Sequence, residues 1–145
     1  MDKNPFIGTW KLISFEGHPE NGEIFFPLGQ KPTGTLMYDD RCHMSVIILS
    51  GERPPMSTPH KWLVPQEEKA AAFDSFDAYF GAYAIDEKEM SITHHLQGAL
   101  SPNWADTQQK RFYTFSGDEN QLELRTPPLA YTEQQFVGIL KWERL

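Results

Sequence analysis

Apolar and polar residues alternate along most of this chain with a period of two, the pattern of strands that turn one face to a core. The first such run, Phe6 to Phe15, mixes apolar residues with Thr9, Lys11 and Ser14. Trp10 and Leu12 share one face and Ile13 and Phe15 the other, which predicts a strand buried in part on both sides. Gly17 to Gly22 is rich in turn formers, and Glu23 to Phe26 predicts a short second strand before Pro27, Gly29 and Pro32. Thr33 to Tyr38 and Cys42 to Leu49, joined by Asp39-Asp40-Arg41, predict a hairpin. Pro54, Pro55, Pro59 and Pro65 make Ser50 to Pro65 a loop, long enough to be a lid.

The period changes after Pro65. Proline suits a first helical turn, and Gln66-Glu67-Glu68 sets acids at the positive end of a helix dipole. Ala70, Phe73, Phe76 and Phe80 continue an apolar stripe at helical spacing, so one side helix is expected near residues 65–78. Alternation returns from Tyr79 to Ile85 and, past Asp86-Glu87-Lys88, from Met90 to Leu96. A polar connection, Gln97 to Thr107, leads to strands at Gln109 to Phe115 and Gln121 to Leu124. Thr126 to Glu133, with Pro127 and Pro128, is expected to be a loop, and Gln135 to Glu143 the last strand. These elements describe a mainly all-β chain of eight or nine strands and one helix, a single domain over residues 1–145.

Composition narrows the function classes. A formal net charge of -7 argues against a nucleic-acid partner. Aromatic residues make up 13% of the chain, more than a small core needs, and a cavity lining is one use for the surplus. Cys42 is the sole cysteine, which rules out an intrachain disulfide; a lone cysteine in a strand reads as a small buried hydrophobe. The leader Met1 to Pro5 carries no apolar run and no window suits a membrane span, so a cytoplasmic protein without membrane insertion, monomer or homodimer, is expected. No phosphate-binding glycine loop and no G-x-S-x-G elbow occurs, and no cofactor is expected.

The candidate chemistry lies on the strands. His94 and His95 are adjacent and point to opposite faces, and His94 shares its face with Met90, Ile92 and Leu96, which makes it the interior candidate unless a bulge reverses the parity. An interior imidazole titrating near neutral pH can serve as acid or base, the alternative being a hydrogen-bonded core histidine. Arg111 and Tyr113 share a face; the arginine can fix a carboxylate, phenolate or enolate and the tyrosine can donate to a carbonyl, or the two form a rim ion pair and an aromatic cap. Tyr79 and Tyr83 share a parity across Gly81, either as ligand contacts or as half-buried strand aromatics. His43, with Tyr38 on the preceding strand, adds a polar group, but the histidines lack metal-ligand spacing and no metal site is expected.

Gly8-Thr9-Trp10 near the start is echoed by Trp142 and Arg144 near the end. Together with Pro32 to Tyr38, Ala78 to Tyr83, the stretch from His94-His95 through Ser101-Pro102-Asn103-Trp104 to Gln108 and Arg111, and Leu140 to Arg144, they make the chain resemble the lipocalin-like domain family. The resemblance implies an antiparallel eight- to nine-stranded barrel with a side helix and an internal pocket, sealed by Gly8, Trp10, Trp142 and Arg144. It also implies a hydrophobic small-molecule ligand, contacted by Tyr38, His43, Tyr79, Tyr83, His95 and Trp104. Some related barrels catalyse isomerisation or cyclisation in polyketide and terpenoid pathways. The expectation is therefore cofactor-independent isomerisation or cyclisation with His94, Arg111 and Tyr113 as catalytic residues; the alternative is passive binding or transport. Ala105-Asp106 stands after Trp104 where a glycine-containing turn is expected, and the absence of a secretory leader and of disulfides departs from secreted lipocalins.

Overall fold

Each strand pairs with its neighbour until the last returns to the first. The computed structural model describes residues 3–130 and 135–145. Its strands are β1 (Gly8–Pro19), β2 (Thr33–Tyr38), β3 (His43–Leu49), β4 (Phe76–Asp86), β5 (Ser91–Ala99), β6 (Gln108–Phe115), β7 (Gln121–Arg125), β8 (Leu129–Ala130) and β9 (Gln135–Arg144), with one helix, α1 (Gln66–Asp74). The order β1-β2-β3-β4-β5-β6-β7-β9 closes through β1–β9 into an eight-stranded antiparallel barrel, and β8 is a short addition on β9. Closure removes the exposed strand edges that an open sheet would present.

The inward faces follow the period-two pattern, with two interruptions. Between Leu12 and Ser14 the β1–β9 register shifts, leaving Ile13 as an unpaired bulge that is 47% exposed. The bulge inverts the parity beyond it, so Phe15 packs inward with Trp10 and Leu12, and the strand is not buried on both faces as its sequence suggests. The second shift lies between Phe80 and Gly81, where β5 carries the extra residue Gln97. It falls after His94, so the expected inward orientation of that side chain is retained. Gly81 is required there: a Cβ would collide with the His95 carbonyl and come within 3.0 Å of the Gln97 nitrogen. Gly81→Ala is expected to lower stability by about 1–3 kcal/mol, read as a lower denaturant midpoint.

Long-range pairing overrides local composition at several boundaries. β1 runs through the turn-forming Gly17 to Pro19 because β9 pairs with it from Trp10↔Arg144 to Pro19↔Phe136. The strand expected at Glu23 to Phe26 is reduced to one bridge, Gly17↔Phe25. The helix stops at Asp74 and does not continue to residue 78, because Phe76 enters β4 opposite Leu49. The apolar stripe is thereby divided between helix and strand, and Phe73 and Phe80 stand 48% and 53% exposed. Cys42 is not buried: it occupies the exposed β2–β3 turn with φ 65°. Asp106 takes up φ 62°, a left-handed turn conformation usual for glycine. β8 lies within the expected loop Thr126 to Glu133, whose residues 131–133 are outside the described residues.

The strand directions separate two ends. One end collects Gly8, the β2–β3 and β6–β7 turns and Arg144; the other collects the long β1–β2, β3–β4 and β5–β6 connections and α1. Phe6 plugs the first end, edge-on to Tyr38, Tyr113 and Phe115 with ring centroids 4.8–5.4 Å apart. Arg144 lies 4.2 Å over the Trp10 ring and donates to the carbonyls of Pro5, Ile7 and Glu119. Trp10 Nε1 in turn donates to the Phe6 carbonyl at 2.9 Å. Gly8 sits against this arginine, with φ 136° and Arg144 Nη1 3.1 Å from where a Cβ would stand.

Candidate functional site

Between the sealed end and the long connections lies a cavity of about 520 Å³. Its walls are mostly apolar: Phe15, Leu28, Leu36, Val46, Ile48, Leu124, Phe136 and Leu140. Polar groups gather on one side, where Asp77 and Tyr79 on β4, His94 on β5, and Gln109 and Arg111 on β6 are neighbours across three paired strands. Trp104, in the one-turn helix that follows β5, also lines the cavity, 6.2 Å from the Tyr79 ring. This arrangement, apolar walls with a few convergent polar groups, is that of a small-molecule pocket.

His94 is the centre of the polar side. It is 2% exposed, with Nε2 2.7 Å from Tyr38 Oη and Nδ1 2.8 Å from Tyr79 Oη. Tyr38 stands behind it, fully enclosed, and its hydroxyl hydrogen has no other acceptor among the described residues. A buried hydroxyl left without an acceptor costs about 1–3 kcal/mol, which assigns the tautomer. Tyr38 donates to Nε2, and the proton of His94 sits on Nδ1 and is donated to Tyr79. The Arg111 guanidinium is near enough to act on Tyr79 electrostatically. The Tyr79 oxygen accepts from His94, so its own hydroxyl hydrogen is left for an acceptor in the cavity that it lines.

The ionisation states agree with this wiring. Burial holds the His94 imidazole well below its ordinary range, and the charges of Arg111 and His95 push it the same way, so the ring is neutral. Burial raises the Tyr79 phenol, against the pull of Arg111, and it stays protonated. Titration of His94 near neutral pH, expected from the sequence, is therefore corrected: the ring is desolvated and both nitrogens are engaged. The Asp77 carboxyl is raised by burial, opposed by the Ala78 N–H that it accepts and by Arg111.

Of the residues singled out in the sequence, His94, Arg111, Tyr79 and Trp104 meet at this cavity, and Tyr38 supports it from behind. Tyr113 does not join them. It faces inward like Arg111 but sits two residues further along β6, about 7 Å nearer the sealed end, where it packs on Phe6. Tyr83 is likewise at that end: its hydroxyl donates to the Asp39 carbonyl at 2.6 Å and accepts from Asn4 Nδ2 at 3.0 Å, tying the leader to the β2–β3 turn. His43 is exposed beside Asp39, its ring 3.1 Å from that carboxylate. His95 alternates to the face opposite His94 and does not line the cavity. No residue of Ser50 to Pro65 lines it either, so the expected lid is not a wall of this pocket.

Several lining groups were not picked out as ligand contacts from the sequence, Asp77 and Trp142 among them. Asp77 falls in the stretch that periodicity assigns to the helix, which hides its inward position. Trp142 reads as a closure residue, and it does pair opposite Leu12, but its indole also lines the cavity, and Nε1 is buried without a hydrogen-bond partner among the described residues. Among the described residues no three His, Cys, Asp or Glu side chains converge as metal ligands, and no helix is long and apolar enough to cross a membrane.

A closed antiparallel barrel with an apolar cavity and a small polar side defines a ligand-binding β-barrel. The lipocalin-like domain family matches residues 7–145, and the chain belongs to it. No curated protein matches the chain. Membership and cavity together fit the binding of a small hydrophobic molecule.

Proposed function

We propose that the barrel binds an apolar small molecule by an oxygen-bearing end and promotes its cofactor-independent isomerisation or cyclisation. The observation that carries this reading is the His94 bridge, which leaves the Tyr79 hydroxyl hydrogen for a ligand in the cavity that Arg111 also lines. A neutral phenol and a guanidinium at one oxygen stabilise negative charge that builds there as double bonds shift, and they need no reorganisation to do so. The apolar walls supply the other part of the rate by holding the remainder of the ligand folded. In an isomerisation a proton leaves one carbon and returns to another. Asp77 is the cavity group suited to carry it, since His94 has no free nitrogen. His94 then acts as a positioning residue that fixes Tyr79.

Both reactions conserve mass, which makes the test direct. An organic extract of the producing cells, incubated with the protein, is expected to yield new species of unchanged mass. Tyr79→Phe is expected to slow their formation about 100-fold while the same compounds remain bound. Recovery of bound compounds unchanged by the wild-type protein would make the barrel a carrier. That second reading is favoured by one feature, the engagement of both His94 nitrogens.

A further inference from the structure

We propose that the ligand is an amphipathic monocarboxylic acid whose carboxylate sits on Arg111 and Tyr79, with its apolar remainder along the cavity wall. This rests on the cavity-binding reading above and names its ligand class.

The argument begins with a missing counter-charge. Arg111 is 7% exposed. Its Nη1 donates to the Lys110 carbonyl at 2.9 Å. A guanidinium has five N–H donors, so several remain to be satisfied. Among the described residues the ion pairs are His18–Glu16, His43–Asp39, Lys110–Glu89 and Arg125–Glu123, and none reaches Arg111. Its neighbour Lys110, turned outward, is paired; the buried cation is not. A buried charge without a partner is strongly disfavoured, and its place on the cavity wall leaves the ligand to supply the anion.

Asp77 does not fill that role. It lines the same cavity, but its Oδ1 accepts from the Ala78 N–H at 2.9 Å, and it forms no ion pair with Arg111 among the described residues. The charge required is also small. Arg111 is the one cation among the described residues that line the cavity, beside the carboxyls of Asp74 and Asp77, which suits at most a single negative charge and not a phosphate dianion. A planar guanidinium presents paired donors that match the two oxygens of a carboxylate, and the Tyr79 hydroxyl adds a third donor. Leu36, Val46, Ile48 and Leu140 give the rest of the ligand an apolar wall that suits a hydrocarbon body.

Dodecanoate, its methyl ester and dodecanol share one chain and differ in the head. Binding of each is measured by calorimetry and by the fluorescence of Trp104 and Trp142, which line the cavity. The acid is expected to bind at least about tenfold tighter than the ester or the alcohol, and Arg111→Gln to abolish that preference while ester affinity is kept. Should Arg111→Gln not fold, the wild-type series alone decides. Equal affinity for acid and ester, or a preference that survives Arg111→Gln, overturns the carboxylate assignment and leaves cavity binding standing. If none of the three binds, the cavity-binding reading fails and this inference with it.

Discussion

Trp10→Ala is expected to cost about 3–5 kcal/mol of unfolding free energy, seen as a fall in denaturant midpoint at an unchanged slope. The indole is fully buried, donates to the Phe6 carbonyl, contacts the Phe115 ring and lies under the Arg144 guanidinium. Its removal opens the sealed end at the point where the leader, β1 and the end of β9 are held together. Arg144 donates to three carbonyls in two segments distant in sequence, Pro5 and Ile7 in the leader and Glu119 in the β6–β7 turn, so Arg144→Met should also destabilise. The pair is expected to couple by about 1 kcal/mol in a double-mutant cycle, the size of a partly desolvated cation–π contact. A Trp10→Ala loss below about 1 kcal/mol would show that closure does not depend on this layer.

The second large effect falls on His94. His94→Ala removes the acceptor of the enclosed Tyr38 hydroxyl and leaves a void, and a loss of about 3 kcal/mol is expected. The pH dependence separates this from simple packing. Burial, then Arg111 and His95, depress the folded-state proton affinity of the ring, so below about pH 6.5 the unfolded chain binds the extra proton and the folded chain does not. Stability from this residue is therefore present in full above pH 6.5 and falls by about 1.4 kcal/mol per unit as pH drops toward the depressed folded-state value. His94→Gln retains one donor and one acceptor but does not titrate. Wild-type and His94→Gln stabilities measured between about pH 6.5 and 5 should diverge by that slope; parallel curves would mean that the ring is protonated in the fold.

Much of this architecture is legible in residue order. Strand parity depends only on the pleat, so Trp10, His94, Leu96 and Arg111 turn inward as read, and the echo of Gly8-Thr9-Trp10 in Trp142 and Arg144 corresponds to paired strands. Parity cannot register a bulge, which is why Phe15 is read to the wrong side. Helical periodicity also misleads at Phe76 and Asp77, because two phenylalanines beyond the helix keep its spacing by coincidence while pairing with β3 takes the backbone into a strand.

The candidate site divides in the same way. Which residues face inward was written in the sequence, because the alternation of side chains is a local property of an extended backbone. How far along the barrel each one sits was decided only by the register between strands. Tyr83 lies opposite His94 in that register but donates its hydroxyl hydrogen to the Asp39 carbonyl, Tyr113 packs on Phe6, and Tyr38, Tyr79, His94 and Arg111 come together from four strands. The charge states followed from that meeting: burial, with the charges of Arg111 and His95, keeps His94 neutral, and the absence of a carboxylate partner among the described residues leaves Arg111 facing the cavity. Local chemistry selected the side chains, and the long-range contacts of the closed barrel determined which of them act on the same ligand.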